Sequence, residues 1–272
     1  MGIVYAALLG VIQGLTEFLP VSSSAHLILA RAFFGWNSDQ FGLAFDVACH
    51  LGTLVAVVVY FASDISAMLR ALPRLVTRRQ PMADPMARLT VLLVVGTLPA
   101  VGVGLLFGNA IENGLRTPVV AAAMLAAVAV VFFVVERTGA KRRGVEDLGL
   151  VDALLVGCAQ AAALVPGVSR SGSTIAAGMA LGVRRDEAAR FCFLLGIPAI
   201  LGAAAKEGVH VLRHGLPPGE GPLFAVGVVT SGLVGYVAVR FFIRYLASHS
   251  LNGFAVYRLA LAASVVVWWF VH

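Results

Sequence analysis

Six apolar runs of about 20 residues recur along this chain with basic clusters between them, and no other feature limits the fold as much. They fall roughly at 43–62, 89–108, 118–136, 187–206, 222–246 and 254–271. A run of that length matches the hydrocarbon thickness of a bilayer. In lipid every backbone polar group must be satisfied within its own segment, which leaves helices as the fold of such runs. The chain therefore reads as an all-α, multi-pass integral membrane protein in one membrane domain, 1–272. Only 12% of its residues are charged, against about 25% in a soluble domain. The net charge of +6 is not a nucleic-acid signature, because the basic residues sit between apolar runs, where they set orientation. Cys49, Cys158 and Cys192 lie in apolar segments without paired spacing, so neither a disulfide framework nor a zinc motif is legible. The opening "MGIVYAALLGVIQG" has no basic stretch and no A-x-A site after it, so it is expected to belong to the mature fold.

Two further apolar pieces, 1–30 and 148–183, are interrupted by Pro, Gly and Ser. The basic clusters are Arg70 to Arg88, read as a loop, then Arg137 to Arg143, then Arg184, Arg185 and Arg190, and finally Arg240 and Arg244. The stretches 109–117 and 207–221 are poorer in basic residues and read as the opposite loops. The positive-inside rule places the basic clusters in the cytoplasm. The piece 148–183 then starts and ends on the same face, and its two halves of about 17 and 13 residues favour a re-entrant helix-loop-helix over two full spans. Shifting the chain by 147 lays "LLGVIQGLTEFLPVSSS" (8–24) over "LVGCAQAAALVPGVSRS" (155–171). Gly10 meets Gly157, Gln13 meets Gln160, Val21 meets Val168, Ser22 meets Ser169 and Ser24 meets Ser171. The chain reads as two related halves, about 1–136 and 148–272. Run 43–62 must end inside and its counterpart 187–206 must start inside, so the repeats are inverted. The expected fold is six transmembrane helices plus two re-entrant hairpins in two inverted-topology repeats. Such repeats place a binding site near the midplane, where the breaks meet.

In each hairpin a Pro ends one helix and serines start the next. Pro20 precedes Ser22, Ser23 and Ser24; Pro166-Gly167 precedes Ser169, Arg170, Ser171, Ser173 and Thr174. Serine caps helix N-termini, and free N-terminal N–H groups hold anions. Arg170 adds a planar fork suited to phosphate, although it also reads as a structural partner of Glu17. Gln13 and Glu17 are four apart and share one helix face, and an acid at membrane depth is usually functional. His26 follows Ser22 by four on the next helix. A carboxylate, an imidazole and several hydroxyls around an anion site are the parts of phosphoryl transfer, with Glu17 as base or metal ligand and a hydroxyl or water as nucleophile. Each part has a plainer reading: Gln13 as a packing hydrogen-bonder, Ser22 and Ser24 as caps, His26 as a packed histidine. Asp46 and His50 are one turn apart and read either as the outer mouth or as an interfacial helix start. His210, His214, His249 and His272 carry no site reading.

At these residues the chain resembles a known family. "QGLTEFLPVSSSAH" (13–26) is similar to the [EQ]-x-x-x-E block of the BacA-type undecaprenyl-diphosphatase family, and "PGVSRSGST" (166–174) to its P-G-x-S-R-S-x-x-T block. Both blocks, in this order and 140-odd residues apart, make the resemblance specific over essentially the whole chain. It implies a phosphatase of the bacterial plasma membrane that converts undecaprenyl diphosphate to undecaprenyl phosphate and inorganic phosphate. That product carries peptidoglycan precursors, and removing the substrate removes the target of bacitracin. The resemblance also implies a divalent cation, Mg²⁺ or Ca²⁺, and an active site open to the outer face, where Glu17 would bind the metal or activate the nucleophile. The partners it implies are the polyprenyl diphosphate and membrane lipids, with no nucleic acid and room for a homodimer. Carried over by residue, Gln13 and Glu17 fill the first block, with Ser22, Ser23 and His26 in its tail. Ser169, Arg170, Ser171 and Thr174 fill the second. Because Gln13 takes the variable position, Glu17 is the one ionisable residue of the first block.

The expected site therefore has Glu17, Ser23, His26 and Arg170 as catalytic residues, with Ser23 the leading nucleophile and His26 its rival. Gln13, Ser22, Ser169, Ser171 and Thr174 are expected to hold substrate. Two alternatives stand beside this reading. A lipid or anion transporter, or flippase, suits inverted repeats with broken helices. A lipid kinase ranks below both, because the chain has no G-x-x-x-x-G-K-[ST] loop.

Overall fold

The computed structural model describes residues 2–36, 41–77, 81–214 and 219–271; His272 and the side chains of His210 and His214 lie outside them. The described residues form eleven α-helices and no strand. Six of these are long and apolar enough to cross a membrane: α3 (Leu43–Tyr60), α5 (Pro85–Gly114), α6 (Pro118–Thr138), α9 (Arg185–His214), α10 (Gly221–Leu246) and α11 (Asn252–Val271). The interrupted pieces form two helix pairs, α1 (Gly2–Phe18) with α2 (Ser23–Phe34), and α7 (Leu150–Ala162) with α8 (Arg170–Ala180). At a rise of about 1.5 Å per residue, α7 is about 20 Å long, too short for a hydrocarbon core of about 30 Å.

Helix ends follow the capping residues more closely than the apolar runs do. Asp84 caps α5 by accepting from the N–H groups of Met86 and Ala87, both at 3.1 Å, and Pro85 takes the first helical position. Thr117 and Pro118 start α6 in the same way. As a result α5 fills the expected loop 109–117 almost to its end. Two further expectations change. The stretch read as a basic loop from Arg70 is in its first part helix α4 (Ala62–Thr77), whose polar and apolar residues segregate to opposite faces. The expected loop 207–221 is helical as far as His214.

The spans pack through small residues, as helices in lipid must, where van der Waals contact replaces hydrophobic drive. α1 lies against α10, and α7 lies against α5. The two crossings use equivalent glycines. A Cβ at Gly10 would fall 1.9 Å from Thr230 Oγ1, and one at Gly157 would fall 2.3 Å from the Gly96 carbonyl oxygen. α6 pairs with α11, and α3 with α9. The pairings are reciprocal: each short first helix packs on the second long span of the other half, an arrangement consistent with two related halves. Phe18, at the end of α1, packs edge-on against Phe193 of α9 with ring centroids 5.4 Å apart. This contact brings the first break into the centre of the bundle.

Candidate active site

The site is built on two breaks with the same local geometry. α1 gives way to α2 through Ser22, and α7 gives way to α8 through Ser169. Both serines sit at φ 73°, a left-handed conformation that residues with a side chain rarely adopt. Such backbone costs about 1–3 kcal/mol per residue and persists only where its surroundings hold it. Here the cap itself contributes. Ser22 Oγ accepts from the Ala25 N–H at 3.4 Å, and Ser169 Oγ from the Gly172 N–H at 3.1 Å. Each cap hydroxyl also lies 3.2 Å from the hydroxyl two residues on, Ser24 in one break and Ser171 in the other. The breaks touch directly, because Ser171 Oγ donates to the Leu19 carbonyl at 3.1 Å.

That contact brings the two hairpins' chemistry together. Glu17, buried on the last turn of α1, is ion-paired through Oε1 with Arg170 at the start of α8. Its Oε2 accepts from Ser23 Oγ at 2.7 Å and from Gln13 Nε2 at 2.9 Å, and lies 3.3 Å from His50 Nε2. His50 Nδ1 is 2.7 Å from the Asp46 carbonyl. A carbonyl only accepts, so Nδ1 carries hydrogen and the ring is fixed with Nε2 toward Glu17. Arg170 Nη1 is buried without a protein partner. The guanidinium fits there because position 196 is glycine: a Cβ would sit 2.2 Å from Nη1.

A cavity of about 210 Å³ opens over this cluster. Its polar walls are Glu17, Ser22, Ser23, Ser24, His50, Gln160, Ser169 and Arg170; Val47, Ala100, Leu164, Ile200 and Ala203 are among its apolar ones. Among the described residues Glu17 is its only carboxylate. Two capped helix N-termini, α2 and α8, and one guanidinium meet at its floor, an arrangement suited to a multiply charged anion.

The remaining expected residues stand around the cavity without lining it. Gln13 is fully buried behind Glu17. Thr174 Oγ1 donates to the Arg170 carbonyl at 2.7 Å and lies 2.7 Å from Cys192 Sγ, which holds the first turn of α8. Ser171 is spent on the contact between breaks. His26 places Nδ1 2.7 Å from the Ser22 carbonyl and Nε2 2.7 Å from the Tyr257 hydroxyl. Asp46 pairs with Arg31 and Arg116. Two cavity residues carried little or no signal in the sequence. His50 read only as part of an outer mouth or of an interfacial helix start. Gln160 appeared only as the repeat partner of Gln13, and that symmetry was the available clue; it is buried, and neither of its amide atoms has a protein partner.

The donor set does not suit a resident divalent cation. Mg²⁺ and Ca²⁺ take about six to eight oxygen ligands, whereas no group of three His, Cys, Asp or Glu residues converges among the described residues. Glu17 offers about four acceptor positions. Arg170, Ser23, Gln13 and His50 already face them.

The sequence matches known proteins over nearly its full length. The profile of a family described as "Bacitracin resistance protein BacA" matches residues 6–264. A protein of Rubrobacter xylanophilus named "Undecaprenyl-diphosphatase" is 50% identical over 260 residues, 96% of each chain. Proteins of the same name from Thermomicrobium roseum and Trichlorobacter lovleyi are 44% and 43% identical, covering 96% and 98% of this chain and 96% and 97% of their own.

Proposed function

The chain belongs to the bacitracin resistance protein BacA family, and on that premise we propose that its cavity hydrolyses undecaprenyl diphosphate to undecaprenyl phosphate and inorganic phosphate. It is a multi-pass membrane phosphatase, and its relatives lend the transporter alternative no support. The observation that carries the catalytic reading is the meeting of Glu17, Ser23 and Arg170 at the tips of two broken helices.

The terminal phosphate rests on the N-termini of α2 and α8, with Ser22, Ser169 and Arg170 as donors. Ser23 Oγ attacks the terminal phosphorus as its hydrogen passes to Glu17 Oε2, to which it already bonds at 2.7 Å. The bond between that phosphorus and the bridging oxygen breaks, and undecaprenyl phosphate leaves with the proton returned by Glu17. Water then attacks the phosphoserine, giving one proton to Glu17. Ser23 takes that proton back as inorganic phosphate departs. Phosphoryl transfer needs little covalent help, so most of the acceleration comes from positioning and from charge stabilisation by Arg170 and the helix termini. His26 holds the Ser22 carbonyl from outside the cavity and ranks behind Ser23 as nucleophile. Any requirement for Mg²⁺ or Ca²⁺ is best met by a cation carried on the substrate's own oxygens.

The cavity faces the outer side of a bacterial plasma membrane. α9 starts inside by its basic residues, and Ala203 lies 18 residues on, about 27 Å along the axis at about 1.5 Å per residue. Val47 and His50 lie near the start of α3, which ends inside. The prenyl tail extends from this mouth along apolar helix faces into the lipid.

Purified protein in detergent, with no gradient across a membrane, is expected to release inorganic phosphate from undecaprenyl diphosphate. No release over buffer, by protein that is folded and monodisperse, overturns the reading.

A further inference from the structure

Arg258 lies about two turns into α11 and is fully buried. Its place in the sequence suggests no role. A cation at membrane depth is expensive unless it is satisfied, and among the described residues no carboxylate pairs with it. Its partners are backbone carbonyls instead. Nε donates to Leu125 O at 3.1 Å. Nη1 donates to Pro20 O at 3.0 Å. Nη2 donates to Gly167 O at 2.7 Å, and to Val168 O and Met124 O at 3.3 Å each. The guanidinium carbon also lies 5.4 Å from the centre of the Phe132 ring.

Two of these carbonyls are special. Pro20 and Gly167 are 147 residues apart, the offset that superposes the two breaks, and each stands two residues before its cap serine. One guanidinium fork thus grips the same position in both breaks at once. Both carbonyls lie outside the helical ladders and are open to accept, so backbone oxygens satisfy the guanidinium without a carboxylate. Ser23 and Arg170 each follow their gripped carbonyl by three residues. Arg258 is not among the residues that line the cavity.

We propose that Arg258 is the positioning residue of this site: it ties the Pro20 and Gly167 carbonyls together and so fixes Ser23 and Glu17 against Arg170. This rests on the catalytic reading above. Misplacement by about 1 Å costs on the order of a hundredfold in rate, so loosening the tie lowers kcat far more than it disturbs ground-state binding.

The test is Arg258→Lys, which keeps the charge but not the fork. Its kcat on undecaprenyl diphosphate is expected to fall at least about tenfold, with KM changed by less than about threefold. Hydrogen exchange is expected to speed up at residues 19–24 and 166–172 and to stay unchanged in the long spans. A variant with wild-type kcat and exchange overturns the proposal. So does a variant that loses protection throughout, because Arg258 then holds the bundle and not the tips. The wild-type protein supplies a check that needs no variant: free exchange at both breaks contradicts the tie. Inactive wild-type protein with both breaks protected would instead count against the catalytic reading alone.

Discussion

Glu17 shows how much of this site one residue organises. It receives a cation, a hydroxyl, an amide and an imidazole, and these come from α8, α2, α1 and α3. The acid and Arg170 were legible in the sequence because charge in an apolar chain is conspicuous. His50 was not, because a histidine one turn after an aspartate has many explanations, and only the packing of α3 against α1 turns it toward Glu17. Arg258 was illegible for a different reason: its partners are carbonyls, which every residue has. At this scale the nucleophile can be tested. Ser23→Ala is expected to lower kcat at least about a thousandfold, in line with loss of an activated nucleophile. Rapid acid quenching of the wild-type protein with substrate labelled at the terminal phosphate is expected to leave an acid-stable adduct on Ser23. An acid-labile adduct on His26, or Ser23→Ala with full activity, contradicts the assignment.

Among the elements, the short helices depend on close crossings. The apolar runs gave the six spans, and Pro followed by Ser gave the breaks. The basic stretch from Arg70 reads as a loop, yet its first part is helical because α4 separates its polar and apolar faces. The crossings themselves are encoded by glycines whose purpose shows only in three dimensions. Gly157 sets the approach of α7 to α5, and a methyl there meets the Gly96 carbonyl at 2.3 Å. Gly157→Ala is expected to destabilise the protein by about 1–3 kcal/mol, the usual cost of overpacking. Gly102→Ala, where a methyl meets nothing within 4 Å, is expected to leave stability unchanged or slightly raised. Thermal unfolding in detergent compares the two; equal melting temperatures contradict the close-packing account.

For the molecule as a whole, α1 packs on α10 and α7 on α5, so residues before and after the 137–147 stretch close the cavity together. The offset of 147 residues made this symmetry visible around the breaks, where both chemistry and backbone geometry repeat. In the later spans it faded, because lipid-facing positions accept any apolar residue. The proposed outward opening can be checked at Ala203, an exposed cavity residue. In a Cys158→Ser background, Ala203→Cys is expected to react with a membrane-impermeant thiol reagent in intact cells, and substrate should slow the reaction. Labelling confined to inside-out vesicles contradicts that orientation.

The convergence of the two tips is tested most directly by a double-mutant cycle on kcat/KM with Glu17→Gln, Arg170→Ala and the pair. Residues that act as one unit are strongly non-additive, so the double variant is expected to fall within about threefold of the worse single variant. If the two losses multiply, Glu17 and Arg170 act independently and the shared site is contradicted.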